Sequence, residues 1–307
     1  MGKVNKILVI VGPTGCGKSD LAYKIACKIK SEIVSADSRQ IYKVMDIGTA
    51  KPSLEIRNKI KHHFVDELDL TRNFSAGDFL KEGREIIKNI FSKNKLPIIV
   101  GGTGLYIDAL INGLILGANR NNEIRNEILN TLEKYGSESI FKELEKVDPV
   151  ISKKYNHTQT RFVVRALEVF YSTGIPISEH HKNQEIEKLP ANIFALDWDR
   201  KILYDRINNR VDKMLENGFL NEVKYILKHR YDEKLPSLNT VGYKEAIEFL
   251  KNIISENEFI RLMKQNSRRY AKRQLTWFRR NKNIQWYKIS NESDLDGIAE
   301  NILKYYK

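Results

Sequence analysis

Four short apolar runs along the chain have the length and continuous hydrophobicity of buried strands. They are Ile7–Val11, Glu32–Ser35, Ile98–Val100 and Ile193–Leu196. Segments with helical periodicity separate these runs, and the first helix is predicted over 20–30, where Leu21, Ile25 and Ile29 recur at helical spacing. Strands that alternate with helices favour an α/β fold with a parallel sheet flanked by helices.

The hydrophobic pattern changes between Asn122 and His181. Helices are predicted over 122–135, 137–147 and 160–172, and no segment between them has the pattern of a strand. We interpret this region as a helical insertion. The predicted domains are a core over 1–116, an insertion over 117–190 that begins near Gly117 and ends near Pro190, and a return to the core with a helical C-terminal part over 191–307. Breaks in that last part are predicted at Gly218, Pro236 and Gly242.

Composition excludes several classes of protein. With 307 residues, 41% hydrophobic and 30% charged, the chain resembles ordinary globular proteins that build a large core. No apolar run approaches the roughly 20 residues of a membrane span, and the N-terminus lacks the apolar region of a signal peptide. We therefore expect a cytoplasmic protein without a membrane partner. Cys16 and Cys27 are the only cysteines, which excludes a disulfide framework and a four-cysteine zinc site.

The net charge of +13 is concentrated in one segment near the C-terminus. Residues 261–282 contain no acidic residue, and their basic residues are Arg261, Lys264, Arg268, Arg269, Lys272, Arg273, Arg279, Arg280 and Lys282. Such a cluster is typical of a surface that binds a polyanionic nucleic acid. The alternative is an ordinary basic helix face, with Leu262, Tyr270 and Leu275 on its core side.

A phosphate-binding loop, the P-loop, is predicted between the first strand and the first helix. The residues that match G-x-x-x-x-G-K-[ST] are Gly12, Pro13, Thr14, Gly15, Cys16, Gly17, Lys18 and Ser19. The strand, the glycine-rich turn and the helix follow in the order that phosphate binding requires. Backbone N–H groups and the positive helix end favour an anion, Lys18 adds a cation, and Ser19 is the candidate Mg²⁺ ligand. The pattern predicts a pyrophosphate- or nucleotide-binding site.

Two further loops are expected beside the P-loop, because the carboxyl ends of parallel strands face one crevice. Asp37 follows the second predicted strand and is either a metal ligand or general base, or a simple helix cap. Gly101–Gly104 follows the third, with Thr103 as a hydroxyl donor. Nucleotide-hydrolysing P-loop proteins commonly place an acidic residue there. Its absence favours a transferase that binds a phosphate group without hydrolysing it.

Arginines on the helix after Asp199 are candidates for binding a phosphate. Arg206 and Arg210 are four residues apart and so share one helix face. They either bind a departing anion or pair with Asp205 and Asp212.

These motifs, in this order, resemble the tRNA dimethylallyltransferase (isopentenyl-pyrophosphate:tRNA transferase) family over nearly the whole chain. The matching blocks are GPTGCGKS at 12–19, DSRQIY at 37–42, MDIGTAKP at 45–52, GGTGLY at 101–106, RALEV at 165–169, VGYKE at 241–245 and YAKRQLTWF at 270–278. The resemblance implies a P-loop NTPase-like core. It also implies transfer of a dimethylallyl group from dimethylallyl pyrophosphate to the exocyclic amine of the adenine 3′-adjacent to the tRNA anticodon.

Residue roles follow from the resemblance. It implies that Asp37 is the base. It also implies that pyrophosphate is bound, together with Mg²⁺, by Thr14, Lys18, Ser19 and Arg210. The implied catalytic set consists of Asp37, Thr14 and Arg210. Positions that match tRNA contacts of the family are Asp37, Ser38, Arg39, Gln40, Thr103 and Arg125. To these we add Arg161, Arg165, Arg269, Lys272 and Arg273 as candidate tRNA contacts. The expected partner is the anticodon stem-loop, and the expected state is a monomer.

The chain departs from the family at one site. The family carries an arginine three residues before the RALEV block, where this chain has Phe162, and the adjacent Arg161 is the candidate replacement. No cysteine follows Cys27, so the zinc-finger extension of eukaryotic members is not expected and the resemblance is to the bacterial type. Three alternatives remain at this point. They are a P-loop small-molecule kinase, a prenyltransferase acting on free adenine nucleotides, and a non-catalytic RNA-binding protein.

Overall fold

Parallel strands form the centre of the fold. The structure is a computed structural model that describes residues 6–114, 121–183, 188–229 and 231–306. Its strands are Ile7–Val11 (β1), Ser31–Ser35 (β2), His62–His63 (β3), Leu96–Gly101 (β4), Ala191–Trp198 (β5) and Ile284–Ile289 (β6). Within these ranges they form one six-stranded sheet in the order β3-β2-β4-β1-β5-β6, with every neighbouring pair parallel. The predicted α/β fold with a parallel sheet is confirmed.

The register of the central strands brings three loops to one edge of the sheet. Val11 at the end of β1 pairs with Gly101 at the end of β4, and Ser35 at the end of β2 pairs with Val100. Open α/β sheets bind ligands outside the carboxyl ends of their strands. The loops that follow β1, β2 and β4 therefore begin side by side, where such a ligand would lie.

Helices cover the sheet and form most of the remaining structure. The first helices are Lys18–Ala26 (α1), Leu54–Lys59 (α2), Ala76–Ser92 (α3) and Gly104–Asn112 (α4). They are followed by Asn122–Tyr135 (α5), Ser137–Val147 (α6), Pro149–Ser152 (α7), Thr160–Thr173 (α8) and Ile177–Asn183 (α9). The last are Arg200–Glu216 (α10), Phe219–Lys228 (α11), Tyr243–Leu250 (α12), Glu256–Phe278 (α13) and Asp294–Leu303 (α14). None of these described helices is long and apolar enough to cross a membrane.

The two faces of the sheet pack against separate hydrophobic clusters. In β1, Val9 and Val11 belong to one cluster, while Leu8 and Ile10 belong to the other, and all four side chains are fully buried. Alternate side chains of a strand point to opposite faces, so a strand covered on both faces is apolar throughout. This is why the continuous apolar run was sufficient to predict β1.

The chain divides into two compact units. The first comprises Met1–Ile111 and Leu189–Lys307 and contains the sheet, and the second comprises Asn112–Lys188. The predicted start of the insertion, near Gly117, lies outside the described residues. The second unit has its own core, in which Ile140, Leu144 and Leu167 are fully buried. The predicted helices over 122–135 and 137–147 are confirmed to the residue, and the third ends at Thr173.

The structure corrects two predictions. Helix α1 ends at Ala26, not near Lys30, because β2 must begin at Ser31 to pair with β4 and the intervening residues form the connection. The C-terminal part also contains a strand, β6, which pairs with β5 at one edge of the sheet. Most residues of β6 are at least partly exposed, so its sequence lacks the apolar run that marks the buried strands.

Candidate active site

The P-loop connects β1 to α1, and two side chains from other elements donate hydrogen bonds to its carbonyl groups. Gly17 adopts the left-handed conformation, with φ of 87°, and caps α1. The Trp198 indole N–H donates to the carbonyl oxygen of Cys16 at 2.8 Å, and Arg206 Nε donates to that of Gly15 at 2.9 Å. Since these contacts engage carbonyl groups on the outside, backbone N–H groups remain available for an anion. Lys18 Nζ lies 3.3 Å from the carbonyl oxygen of Pro13, folded back over the loop.

A cavity of about 620 Å³ opens beside the P-loop. Its lining comes from the first unit alone and combines basic, acidic and apolar side chains. The residues on which its chemistry depends are Thr14, Lys18, Ser19, Asp37, Arg210 and Tyr270. The sheet therefore brings the predicted base and the predicted phosphate ligands, which are distant in sequence, into one cavity.

Arg210 lines this cavity, and no acidic residue of the described ranges pairs with it. The side chain is half-buried, and within the described residues its guanidinium group forms no hydrogen bond or ion pair. Burial lowers the pKa of Arg210 from its ordinary value, while Asp37, Cys16 and Asp20 act in the opposite direction. A desolvated guanidinium without a partner is a site for an anionic ligand.

Arg206, one helical turn earlier on α10, has a different environment. Besides its bond to Gly15, it donates to Glu292 Oε1 at 2.7 Å, and its guanidinium lies 4.3 Å from the Trp198 ring centre. The alternative pairing with Asp205 or Asp212 is not observed for Arg206. The residue supports the P-loop, whereas Arg210 faces the cavity.

Asp37 lies two residues after the end of β2 and is half-buried. Its Oδ1 accepts a hydrogen bond from the backbone N–H of Arg39 at 2.9 Å, which forms a turn. The helix-cap alternative is wrong, because the next helix begins only at Leu54. The other carboxylate oxygen, Oδ2, makes no hydrogen bond to a residue of the described ranges. One oxygen thus fixes the orientation of the side chain and the other is available to a substrate.

In the glycine turn, residues 101–104, the three glycines pack so closely on their neighbours that a side chain would not fit at those positions. A Cβ atom at Gly101 would lie 2.1 Å from the carbonyl oxygen of Ala36, and one at Gly102 would lie 2.1 Å from Gln274 Nε2. This is why β4 does not end in an acidic residue. The next residue, Thr103, accepts a hydrogen bond from the Ser38 N–H at 3.1 Å.

Gln274 is the functional residue that reasoning from sequence missed. Its side chain is 6% exposed; Oε1 accepts from the Thr14 N–H at 2.8 Å, and Nε2 donates to the Gly102 carbonyl at 2.9 Å. A glutamine among arginines and lysines does not itself indicate such a role. The only sequence signal for this role was the position of Gln274 in the family block at 270–278. It was missed because the residues around it were interpreted for their charge.

Tyr270, one turn before Gln274, borders both the glycine turn and Asp37. Burial raises the pKa of Tyr270 to about 12, and the Asp37 carboxylate adds to this effect. The phenol therefore stays protonated at neutral pH and remains a hydrogen-bond donor. The alternative interpretation of the basic segment placed Tyr270 on its core side, but Tyr270 lines the cavity.

Arg39 and Gln40 line the cavity, but their polar groups also contact the protein itself. Arg39 Nη1 donates to the carbonyl oxygen of Pro236 at 2.8 Å. Gln40 Nε2 lies 3.3 Å from the carbonyl oxygen of Thr49, and its Oε1 accepts from Ser35. Contact of Ser38, Arg39 and Gln40 with RNA stays a prediction.

The basic segment forms most of helix α13, and several of its cations are paired with acids from elsewhere in the chain. Arg261 pairs with Glu258, Lys264 with Asp212, and Arg279 with Asp197, at 2.6, 2.6 and 3.4 Å. The absence of acidic residues within the segment therefore overstates its free charge. Arg269, Lys272 and Arg273 are exposed, and no ion pair is described for them. The helix is packed by Phe259, Met263, Ala271, Gln274 and Phe278, whereas Leu262 and Leu275 are only half-buried.

Three predicted tRNA contacts belong to the helical unit. Arg125 Nη1 lies 2.9 Å from Glu168 Oε2, and Arg165 Nη1 lies 3.4 Å from the same oxygen. Glu168 is fully buried, so both arginines neutralise it. Arg161 is exposed, and its neighbour Phe162 stacks on Tyr155 with ring centres 5.3 Å apart. Their contact with RNA is a prediction.

The donor set at the P-loop fits a magnesium ion that is bound together with a phosphate ligand. No group of three or more His, Cys, Asp or Glu side chains among the described residues could hold a metal ion by itself. Ser19 lines the cavity next to Lys18. Mg²⁺ commonly takes few protein ligands and completes its coordination with phosphate oxygens and water.

Comparisons with known proteins agree with this geometry. The sequence profile of the family described as IPP transferase matches residues 40–281. The chain is 44% identical over 308 residues to the tRNA dimethylallyltransferase of Finegoldia magna, covering 98% of this chain and 97% of that protein. It is 41% identical to the enzyme of the same name from Natranaerobius thermophilus, covering 99% and 93%.

Solved structures give the same result. The full-length tRNA isopentenylpyrophosphate transferase of Bacillus halodurans is 35% identical, with a TM-score of 0.71 and coverage of 98% of this chain and 96% of that chain. A eukaryotic dimethylallyltransferase described as acting on tRNA is 30% identical, with a TM-score of 0.83 and coverage of 98% and 79%.

Proposed function

The chain belongs to the IPP transferase family, and from that premise we propose that it is a tRNA dimethylallyltransferase. The proposed reaction transfers the dimethylallyl group of dimethylallyl pyrophosphate to the exocyclic amine of the adenine next to the anticodon, on its 3′ side, and releases pyrophosphate. The observation that carries the proposal is the meeting of Asp37 and Arg210 in one cavity. One has a carboxylate oxygen available for a proton, and the other has a guanidinium available for an anion.

The reaction needs a base for the attacking amine. A bond forms between the adenine nitrogen and the allylic carbon as the bond from that carbon to the pyrophosphate oxygen breaks. The nitrogen then carries an excess proton, which Asp37 accepts through Oδ2. The bond from the Arg39 N–H to Oδ1 holds the carboxylate in position.

The leaving group takes up the electron pair of the broken bond and must be stabilised as an anion. The N–H groups of the P-loop, the Lys18 ammonium and the Arg210 guanidinium supply donors and positive charge for it. Thr14 lies at the same wall of the cavity and offers its hydroxyl to the pyrophosphate. A Mg²⁺ ion bound through Ser19 and the pyrophosphate oxygens would neutralise further charge.

The adenine must leave the stacked anticodon loop to reach Asp37, so we propose that it enters the cavity as a flipped base. Ser38, Arg39, Gln40 and Thr103 lie around Asp37 and are proposed to contact it. Three exposed cations of α13 for which no ion pair is described, Arg269, Lys272 and Arg273, are proposed to bind the phosphate backbone. Arg125, Arg161 and Arg165 of the helical unit are proposed as further tRNA contacts.

The direct test is prenyl transfer to an unmodified tRNA that has adenosine on the 3′ side of its anticodon. We expect dimethylallyl adenosine in the nuclease digest when the donor is dimethylallyl pyrophosphate, and none when guanosine replaces that adenosine. Parallel reactions with ATP and with AMP separate the other candidate activities. Phosphate transfer from ATP without prenylation would identify a kinase, and prenylation of AMP in preference to tRNA would identify an enzyme of free nucleotides.

A further inference from the structure

Gln274 forms hydrogen bonds to two loops of the active site. Its amide oxygen accepts from Thr14 in the P-loop at 2.8 Å, and its amide nitrogen donates to Gly102 in the glycine turn at 2.9 Å. The side chain is 6% exposed, so both bonds are shielded from water. A side-chain amide supplies the acceptor and the donor that these two positions require, whatever the pH.

The same contacts continue to the proposed base. Next to Gly102, Thr103 accepts from the Ser38 N–H at 3.1 Å and donates its own N–H to the Ala36 carbonyl, also at 3.1 Å. Ala36 and Ser38 flank Asp37. A displacement of the glycine turn would therefore move the base, and a displacement of Gln274 would change the distance between the base and the P-loop.

Gln274 also lies on the helix that carries the exposed cations Lys272 and Arg273. This helix packs closely against the glycine turn. A Cβ atom at Gly104 would lie 2.3 Å from the Trp277 ring, and the Trp277 N–H donates to Asp108 at 2.8 Å. The helix therefore transmits its position directly to both loops.

We propose that Gln274 is a positioning residue for the prenyl transfer, which sets the distance between the P-loop and the Asp37 carboxylate. This inference rests on the proposed function. Binding of either substrate alone uses one side of the cavity and does not depend on that distance. Transfer does depend on it, because the amine, the allylic carbon and the leaving oxygen must be aligned.

The first test compares Gln274→Met with Gln265→Met. Methionine keeps the length of the side chain and removes both hydrogen bonds. Gln265 is half-buried on the same helix and does not line the cavity. We expect Gln274→Met to lower kcat by about 10²-fold and to leave the KM values for tRNA and dimethylallyl pyrophosphate within about threefold. Gln265→Met should match the wild type in all three constants.

The second test uses a side chain that titrates. The carboxylate introduced by Gln274→Glu accepts from the Thr14 N–H but repels the Gly102 carbonyl, whereas its protonated form restores both bonds. Burial beside a carbonyl raises the pKa of such a carboxyl group. The titratable groups that line the same cavity are Lys18, Asp20, Tyr23, Asp37, Arg39, Lys51, His62, Arg210, Tyr243, Lys244, Glu245, Tyr270 and Arg273. They are common to all variants, so their effects cancel in the ratio of variant to wild-type kcat.

We expect this ratio to rise for Gln274→Glu as the pH falls from 8 to 6, and to stay constant for Gln274→Met. If poor folding alone lowered kcat, the ratio would have the same pH dependence in both variants. The loss of kcat would then be larger in the variant with the lower melting temperature. The proposal is overturned if Gln274→Met turns over like the wild type, or if the ratio for Gln274→Glu is independent of pH. An inactive wild type in the same assay would instead refute the proposed function.

Discussion

The phosphate end of the cavity and helix α13 are both basic, but they use their cations differently. In the cavity, Arg210 has no protein partner within the described residues, while Arg206 on the same helix makes three contacts that support the P-loop. On α13, Lys264 and Arg261 are paired with carboxylates that lie outside the basic segment. The difference teaches that charge density in sequence does not identify a binding surface. The cations that remain unpaired in the fold do.

The largest effect on the rate of transfer is expected from replacing Asp37, the proposed base in the cavity. Asp37→Asn keeps an acceptor for the Arg39 N–H and removes the base, so single-turnover transfer should fall by roughly 10²–10⁴-fold. The affinity for tRNA should change little. Asp69→Asn, at an exposed aspartate outside the cavity, is the control and should react at the wild-type rate. An Asp37→Asn enzyme of normal rate would remove this carboxylate from the mechanism.

The second prediction concerns a buried carboxylate, Glu32, that is paired within the protein and is therefore not available to a ligand. Glu32 is 2% exposed and accepts hydrogen bonds from Lys95 and His63, each at 2.8 Å. Burial by itself would raise the pKa of Glu32, but these bonds lower it to about 2. Because the pKa is lower in the folded state, the pair stabilises the fold above the ordinary value of 4.5, and this contribution is lost as the pH falls toward 2.

Glu32→Gln should therefore cost about 3 kcal/mol of unfolding free energy at pH 7, the size expected when a buried pair loses one partner. The difference from the wild type should shrink in urea titrations carried out at successively lower pH below 4.5. Glu55→Gln, which breaks an exposed pair with Lys59, is the matched control and should change stability little. A constant difference across this pH range would show that packing, not charge, is the cause.

The smallest effect is expected on α13 and appears in the salt dependence of tRNA binding. Each cation that contacts a phosphate contributes about 0.7–0.9 to the slope of log affinity against log salt. Replacing Arg269, Lys272 and Arg273 by alanine should reduce the slope by about 2. The control removes the same number of charges at Arg261, Lys264 and Arg279, which are paired within the protein, and should reduce it by less than about 1. Equal slopes for both triple variants would contradict the distinction between paired and unpaired cations.

The elements that the sequence predicted well are those whose burial is uniform. β1 is buried on both faces, and α5 and α6 have helical periodicity and are capped at their C-terminal ends by Gly136 and Asp148. The edge strands β3 and β6 were missed. β3 consists of only two half-buried histidines, and β6 is largely exposed, so neither contains the apolar run that indicates a strand.

Within the site, the P-loop was predictable because its glycines, lysine and serine are consecutive. Asp37 and Arg210 were placed by the resemblance, and the fold brings both to the cavity wall. Gln274 was not predictable from local pattern, since its partners are 260 and 172 residues away in the chain. The sequence also does not show which of the two arginines is unpaired, because Arg206 and Arg210 share one helix face and differ only in the residues that surround them in the fold.

The most direct measurement is the affinity for pyrophosphate of the wild type, Arg210→Ala and Arg206→Ala, titrated by calorimetry in the presence of Mg²⁺. An unpaired guanidinium that binds the leaving group should contribute about 1.5–3 kcal/mol. Arg210→Ala should then weaken binding by at least tenfold, while Arg206→Ala should lower the melting temperature and weaken binding less. Equal affinity in the wild type and Arg210→Ala would place the pyrophosphate elsewhere and contradict the proposed site.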